Sequence, residues 1–316
     1  MGVVVSAEMV SGVCNAGGLG MIPGTWVSAK RLTQQIRDVA LATKRPFGVN
    51  LVLAENIEAN LNVALDAGVR IISFFWGDPA PFIEKVHSAG ALLLQTVGSA
   101  EEARRVVKLG VDIVVAQGVE AGGHVFGDVA TMALVPAVVD AVHGVPVIAA
   151  GGIGDGRGVV AALALGAQAA WMGTRFLLAE ESLIHPEYRR LLIEATEADT
   201  LRSKTFDGGW ADAFHRCLIN DTSNSWVAAG HPPAGSRPNE GKIVGHHARG
   251  TPIPIYDSFE PTISTTGDIG AMALYAGQSV AQAKRTQPVA EIVREIVAEM
   301  DATVRSLQSE SRSNLS

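Results

Sequence analysis

Two cysteines, Cys14 and Cys217, are all the chain offers. That is too few for a disulfide framework or a cysteine-rich metal cluster, and a reducing, cytoplasmic setting is the simplest expectation. No apolar run reaches the ~18 residues that a bilayer demands. The least polar stretch, residues 141–154, contains His143 and several glycines, and reads as a buried strand with its flanking turns. Met1 is not followed by a basic segment and an apolar core, so no secretory leader is read. Positive charge is not in excess: 25 Lys and Arg stand against 32 Asp and Glu, for a formal net charge of −7. With no basic stripe either, a nucleic-acid partner is not expected. Aromatic residues are scarce at 5%.

What is present is small and aliphatic. Apolar residues make up 47% of the 316, and there are 34 glycines. This is the composition of closely packed α/β layers with many short turns, not of a disordered chain. The length suits one barrel with an insertion.

Residues 1–180 repeat one pattern: a short apolar run, a turn, then an amphipathic stretch. The runs are 19–22, 47–51, 70–76, 91–97, 112–116, 145–150 and 169–176. Each is short and rich in Val, Ile and Leu, as strands are. Between them lie helical segments such as 99–109, where Ala103, Val106, Val107 and Leu109 oppose Glu101, Glu102, Arg104, Arg105 and Lys108. Strands and helices alternating at this spacing imply a parallel sheet with crossovers. Seven strands are countable, and an eighth would close a (β/α)₈ TIM barrel. Residues 6–15 already read as the first helix, so Met1-Gly2 reads as the turn after a truncated first strand; the other reading takes residues 3–5 as that strand. Residues 181–262, with Trp210, Trp226 and Pro232-Pro233, lack the alternation and are expected to form an inserted cap over the substrate. Residues 263–316 are expected to supply a small-residue helix over 267–283, an amphipathic helix over 289–307 and a frayed end over 308–316.

Two constellations carry chemistry. The first is Ala149-Ala150-Gly151-Gly152-Ile153-Gly154, directly after a strand. Glycines there let backbone N–H groups approach a phosphate, and the next helix presents its positive end. A dinucleotide fold fails on two counts: the spacing is not G-x-G-x-x-G, and the following strand ends in Met172-Gly173-Thr174 rather than in an acid. Two phosphate-type turns on neighbouring late strands match the usual phosphate site of barrels. The bland alternative, tight packing turns, explains one Gly-Gly better than it explains the pair. The second constellation runs from Gln117 through Gly118-Val119-Glu120-Ala121-Gly122-Gly123 to His124, again beyond a strand end. A lone histidine is more often structural, but His124 sits in a glycine-rich loop with no apparent apolar face, and can act as base or donor near neutral pH. His87, His143, His185, His215 and His231 have no comparable setting, and the adjacent pair His246-His247 has no acid or cysteine to complete a metal site.

Taken in order, Asn15-Ala16-Gly17-Gly18-Leu19-Gly20, Gly48-Val49-Asn50-Leu51, the Gln117–His124 run, Gly151-Gly152-Ile153 and Met172-Gly173-Thr174-Arg175-Phe176 resemble the nitronate monooxygenase family, formerly the 2-nitropropane dioxygenases. The run ending at His124 is the most specific, and Tyr275-Ala276-Gly277-Gln278-Ser279 extends the resemblance into the last barrel helix. The resemblance implies an FMN-binding barrel with an extra domain over the site. It implies FMN contacts from Met1 and Gly2 in the first turn, from Asn50 at the end of its strand, from Gln117 and from the Gly122 backbone. It implies a phosphate cradle at Gly151, Gly152, Gly173 and Thr174, and His124 as the catalytic side chain. The family normally continues upstream of Met1, and Trp171 stands where a glutamine is common.

The implied reaction is oxidation of an alkyl nitronate by O₂ to a carbonyl compound and nitrite. As a cation, His124 would stabilise nitronate charge; as neutral imidazole, it would take the α-proton of a nitroalkane. The rivals are an FMN- and NAD(P)H-dependent enoyl-thioester reductase and a truncated, low-activity flavoprotein. The expected partners are a small-molecule substrate and O₂, with a homodimer compatible and neither membrane nor nucleic acid.

Overall fold

Apolar runs of three to six residues cannot bury themselves as helices, so they pair. The structure is a computed structural model that describes residues 1–210 and 212–313. Seven strands, β1 (Met21–Pro23), β2 (Gly48–Val52), β3 (Ile71–Phe75), β4 (Leu92–Val97), β5 (Ile113–Gln117), β7 (Val147–Ala150) and β8 (Ala169–Trp171), form one parallel sheet in the order β1-β2-β3-β4-β5-β7-β8. A two-residue strand, β6 (Gly123–His124), lies outside it. Sequential parallel neighbours with a helix at each crossover curl the sheet into a TIM-barrel fold. The helices obey their termini. Ala100–Leu109 begins with Ser99 accepting from Glu102 N at 3.1 Å and stops at Gly110, whose φ of 110° only glycine adopts easily.

Side-chain alternation divides the core in two. Ile72, Phe74, Leu93, Val114 and Ala149 face the helix layer and pack with Leu32, Ile36, Leu61, Val106 and Val138. Leu94, Val115 and Ala150 fill the bore with Ile71, Ile113, Ile148 and Trp171. Trp171 thus closes the bore at β8. Among the described residues no strand joins β8 to β1. Residues 3–5 are not a strand: they form a turn closed by Val5 N donating to Gly2 O at 3.3 Å.

Three expectations are corrected, and the inserted region gains definition. The run 169–176 is a strand only to Trp171, because the Gly173 turn leads straight into the helix Thr174–Leu177. The inserted region, read from sequence only as lacking strand–helix alternation, is built of short elements. It holds helices Pro186–Glu194 and Asp221–Ala228 and strands β9 (Thr200–Ser203), β10 (His215–Leu218), β11 (Ile243–His246) and β12 (Pro252–Pro254), with β13 (Thr266–Gly267) beyond residue 262. These make two antiparallel sheets, β6-β10-β9 and β12-β11-β13, from strands too short to show a period. The expected helix over 267–283 is absent. Only Ile269–Ala271 and Gln278–Gln282 are 3₁₀ turns, and the backbone between them bonds to β10, Leu218 N donating to Leu274 O at 2.8 Å and Ala276 N to Arg216 O at 3.3 Å. The last helix, Val289–Ser313, runs through residues 308–313 rather than fraying there; residues 314–316 lie outside the described residues. No described helix is long and apolar enough to cross a membrane.

Candidate functional site

The strand C-termini of a barrel share one face, and the sequence-marked residues collect there. β5 ends at Gln117, and the loop beyond it turns back into β6. There Gly123 and His124 pair with Arg216 and His215 of β10, so His124 is a strand residue bonded to the inserted sheet rather than a free loop residue. Its setting is also not polar. The Trp210 indole stacks on the imidazole with centroids 4.1 Å apart and planes at 23°. Trp76 meets it edge-on at 6.4 Å, with Tyr275 at 5.6 Å and His215 at 5.5 Å. The residue as a whole is half-buried, but Nε2 is shielded and has no hydrogen-bond partner among the described residues. Burial, reinforced by His215, pushes its pKa down to about 3. Of the two protonation states left open by sequence, the structure favours neutral imidazole.

His215, which shares none of the glycine-rich context of His124, is fully buried directly across the strand pair from it. Phe206 N donates to its Nε2 at 3.0 Å, and its Nδ1 lies 3.0 Å from Ala213 O. A backbone N–H can only donate, so Nε2 is the bare nitrogen and Nδ1 carries the proton. Burial holds its pKa down, to about 4. Trp210 and His215 carry no motif, and nothing in the Tyr275–Ser279 motif points to His124; strand pairing places His215 there, and ring contacts place Trp210 and Tyr275.

Gln117 Nε2 donates to His124 O at 3.3 Å, and its Oε1 is buried without a hydrogen-bond partner among the described residues. Asn50 lies in the middle of β2 rather than at its end, half-buried, and its side chain makes no hydrogen bond among the described residues.

The two glycine turns sit side by side, because Ala150 of β7 is in register with Trp171 of β8. Gly151 and Gly152 have φ of 95° and 72°, a conformation that requires glycine. The backbone N–H groups of Gly152, Ile153, Gly173 and Thr174 donate to no other group among the described residues. A Cβ on Gly173 would meet only Met1 Cγ, 3.6 Å away, so space lies open there and Met1 borders it. Gly2 packs against the Glu260 carboxylate. The turns themselves carry the anion-binding potential. The helix Gly156–Ala164, expected to add its positive end, spends that end internally: Asp155 accepts from Gly158 N at 3.0 Å, and Glu299 from Gly156 N at 2.8 Å.

Two residues have protein partners that account for their identity. A Cβ on Gly122 would strike the backbone of Ala276 and Gly277, so the close approach there is to the chain itself. Thr174 Oγ1 accepts from Gly277 N at 2.9 Å and ties β8 to the segment after β13. No group of three or more potential metal ligands exists among the described residues, and His247 packs edge-on against Phe259 at 4.8 Å.

Comparison with known proteins agrees with this geometry. The sequence profile of the nitronate monooxygenase family matches residues 1–61 and 54–299. A nitronate monooxygenase of Paraburkholderia phytofirmans is 32% identical over 96% of this chain and 92% of its own. A Rhodococcus jostii protein named (3aS,4S,5R,7aS)-5-hydroxy-7a-methyl-1-oxo-octahydro-1H-indene-4-carboxyl-CoA dehydrogenase is 38% identical over 73% of this chain; the chain spans 64% of that relative's length. The nitroalkane oxidase structure from Streptomyces ansochromogenes superposes with a TM-score of 0.80 at 29% identity, over 97% of this chain and 95% of that one.

Proposed function

The chain belongs to the nitronate monooxygenase family, and from that premise we propose that it is a flavin-dependent oxidoreductase that holds FMN and oxidises alkyl nitronates with O₂ to a carbonyl compound and nitrite. The observation that carries the chemistry is His124 Nε2, shielded and unpartnered amid aromatic rings at the barrel mouth. Such a nitrogen has no internal work, and neutral imidazole there is equipped to take a proton from carbon.

The residues present fit FMN. The unengaged N–H groups of Gly152, Ile153, Gly173 and Thr174 would hold its phosphate, with Gly151 shaping the turn. Gln117 Oε1 and Asn50 would meet polar ring atoms, with Met1 bordering the open space at Gly173, while Gly2 and Gly122 would act only through the packing of Glu260 and of the Ala276–Gly277 backbone. One cradle and, among the described residues, no second nucleotide unit favour FMN over FAD. When bound, FMN supplies the redox chemistry between substrate and O₂. The chain's own part is to exclude water with Trp76 and Trp210, to keep His124 neutral, and to accept at Nε2 the α-proton of a substrate that arrives as the nitroalkane.

The test is the absorbance spectrum of the purified protein, release and chromatography of its flavin, and O₂ uptake with a preformed nitronate. FMN and nitronate-dependent O₂ uptake are expected; recovered FAD or absent uptake overturns the corresponding part. A second reading, a flavoprotein oxidoreductase acting on an acyl thioester, takes support from the name of the Rhodococcus jostii relative. NAD(P)H consumption with an enoyl thioester, without O₂ uptake on nitronate, would select it.

A further inference from the structure

Three of the five tryptophans, Trp26, Trp76 and Trp210, converge in front of His124. Trp76 stands edge-on to Trp210 at 4.9 Å, and Trp26 lies 5.7 Å from it. Phe126, 5.0 Å from Trp76, and Phe75, 6.4 Å from Trp210, complete a wall. These are not ordinary core residues. Trp26 is 51% exposed, and Trp76 and Trp210 are half-buried. Trp26 and Trp76 also take left-handed backbone conformations, with φ of 58° and 61°, which are costly for a bulky side chain. Each follows a barrel strand, Trp76 immediately after β3 and Trp26 three residues after β1. Core packing does not account for strain that turns indoles toward solvent at a strand's C-terminal end; ligand contact does. Beyond Trp26 the wall opens into a cleft of about 220 Å³ bordered by Thr25, Glu55, Asn56 and Asn60, with Trp26 Nε1 donating to Glu55 Oε1 at 3.3 Å.

We propose that this wall is a substrate subsite for a planar ring. The substrate class is a ring-bearing carbon acid: its reacting carbon reaches His124, its ring lies along the tryptophans, and a polar substituent points to the Glu55–Asn56 cleft. The reaction assigned to that substrate rests on the function proposed above; the ring subsite itself does not.

The experiment separates the two. On the FMN-loaded enzyme, kcat/KM is compared for the nitronates of phenylnitromethane and 1-nitropropane. Calorimetric titration of the same protein compares 2-naphthoate with hexanoate, which needs no turnover. The ring nitronate is expected to be favoured by about tenfold, mostly through KM, and naphthoate to bind more tightly by a similar factor. Trp26→Ala should lower both ratios at least about threefold, and Trp26→Phe should restore most of the difference. Naphthoate selectivity without nitronate turnover would uphold the subsite while the reaction assignment fails. Equal binding of ring and chain ligands, or ratios unchanged in Trp26→Ala, would overturn the subsite.

Discussion

His124 and its neighbours show what one buried nitrogen costs and provides. With the folded pKa at about 3, the imidazole is uncharged through the neutral range. The kcat/KM profile for a neutral nitroalkane should therefore stay flat through pH 6–7 and fall only well below, and a limb near 6.5 would show a cationic histidine instead. His124→Ala should lose ~10²–10⁴-fold in rate on neutral nitroalkanes, less on preformed nitronates, with flavin retained. It should also lose stability, because the ring it removes is stacked on Trp210; aromatic pairs contribute ~0.5–1.5 kcal/mol beyond their burial. A loop histidine without an apolar face would have cost nothing. Linkage gives a further check. Both His124 and His215 have folded pKa values below the ordinary 6.5, so the unfolded chain binds more protons on acidification. Their contribution to stability is intact above about 6.5 and is lost as pH falls toward about 4 for His215 and about 3 for His124. Thermal melts from pH 7.5 to 4.5 should show Tm falling, and His215→Phe should flatten that slope. His124 was legible because glycines around a histidine beyond a strand are an unusual combination. Its aromatic setting was not, because Trp210, His215 and Tyr275 reach it from segments with no period.

At the scale of elements, the glycines separate into those that shape the chain and those that leave room. Gly122 is packed against the Ala276–Gly277 backbone, so Gly122→Ala should destabilise the apoprotein by ~1–3 kcal/mol whether or not flavin is present. Gly173 has an ordinary φ of −110° and only Met1 nearby. Gly173→Val should leave the apoprotein's melting temperature nearly unchanged yet abolish flavin retention, because its branches enter the cradle. Purification of both variants, with flavin-to-protein ratio and apoprotein Tm measured side by side, decides; a fully loaded Gly173→Val protein would make that turn merely structural. The parallel strands were legible because short apolar runs of four to eight residues between amphipathic stretches allow little else. The segment 267–283 was not: small apolar residues suit a helix as well as they suit pairing, and Leu274 and Ala276 are committed by hydrogen bonds to β10, which sequence does not display.

Over the whole molecule, separate stretches of chain meet at the cradle. Gly277 N donates to Thr174 Oγ1, Gln278 N donates to Glu120 O at 3.0 Å, and the Glu120 carboxylate accepts from Thr131 N, 2.9 Å from its nearer oxygen. The loop after β5, the end of β8 and the segment after β13 are thereby joined at one place. A ligand bound there contacts parts of the fold that unfolding must separate, so its binding energy becomes folding energy. At a free concentration of 1,000 times Kd this amounts to ~4 kcal/mol. Flavin-free protein titrated with FMN should show Tm rising by several degrees, and rising further with the logarithm of concentration. Riboflavin carries the same ring without the phosphate, so it should stabilise far less at equal concentration. FAD, whose adenine half meets no second glycine cradle among the described residues, should do no better than FMN. An equal rise with riboflavin would mean that the unengaged N–H groups of Gly152, Ile153, Gly173 and Thr174 hold no phosphate, and that the neighbouring glycine turns exist to close the barrel.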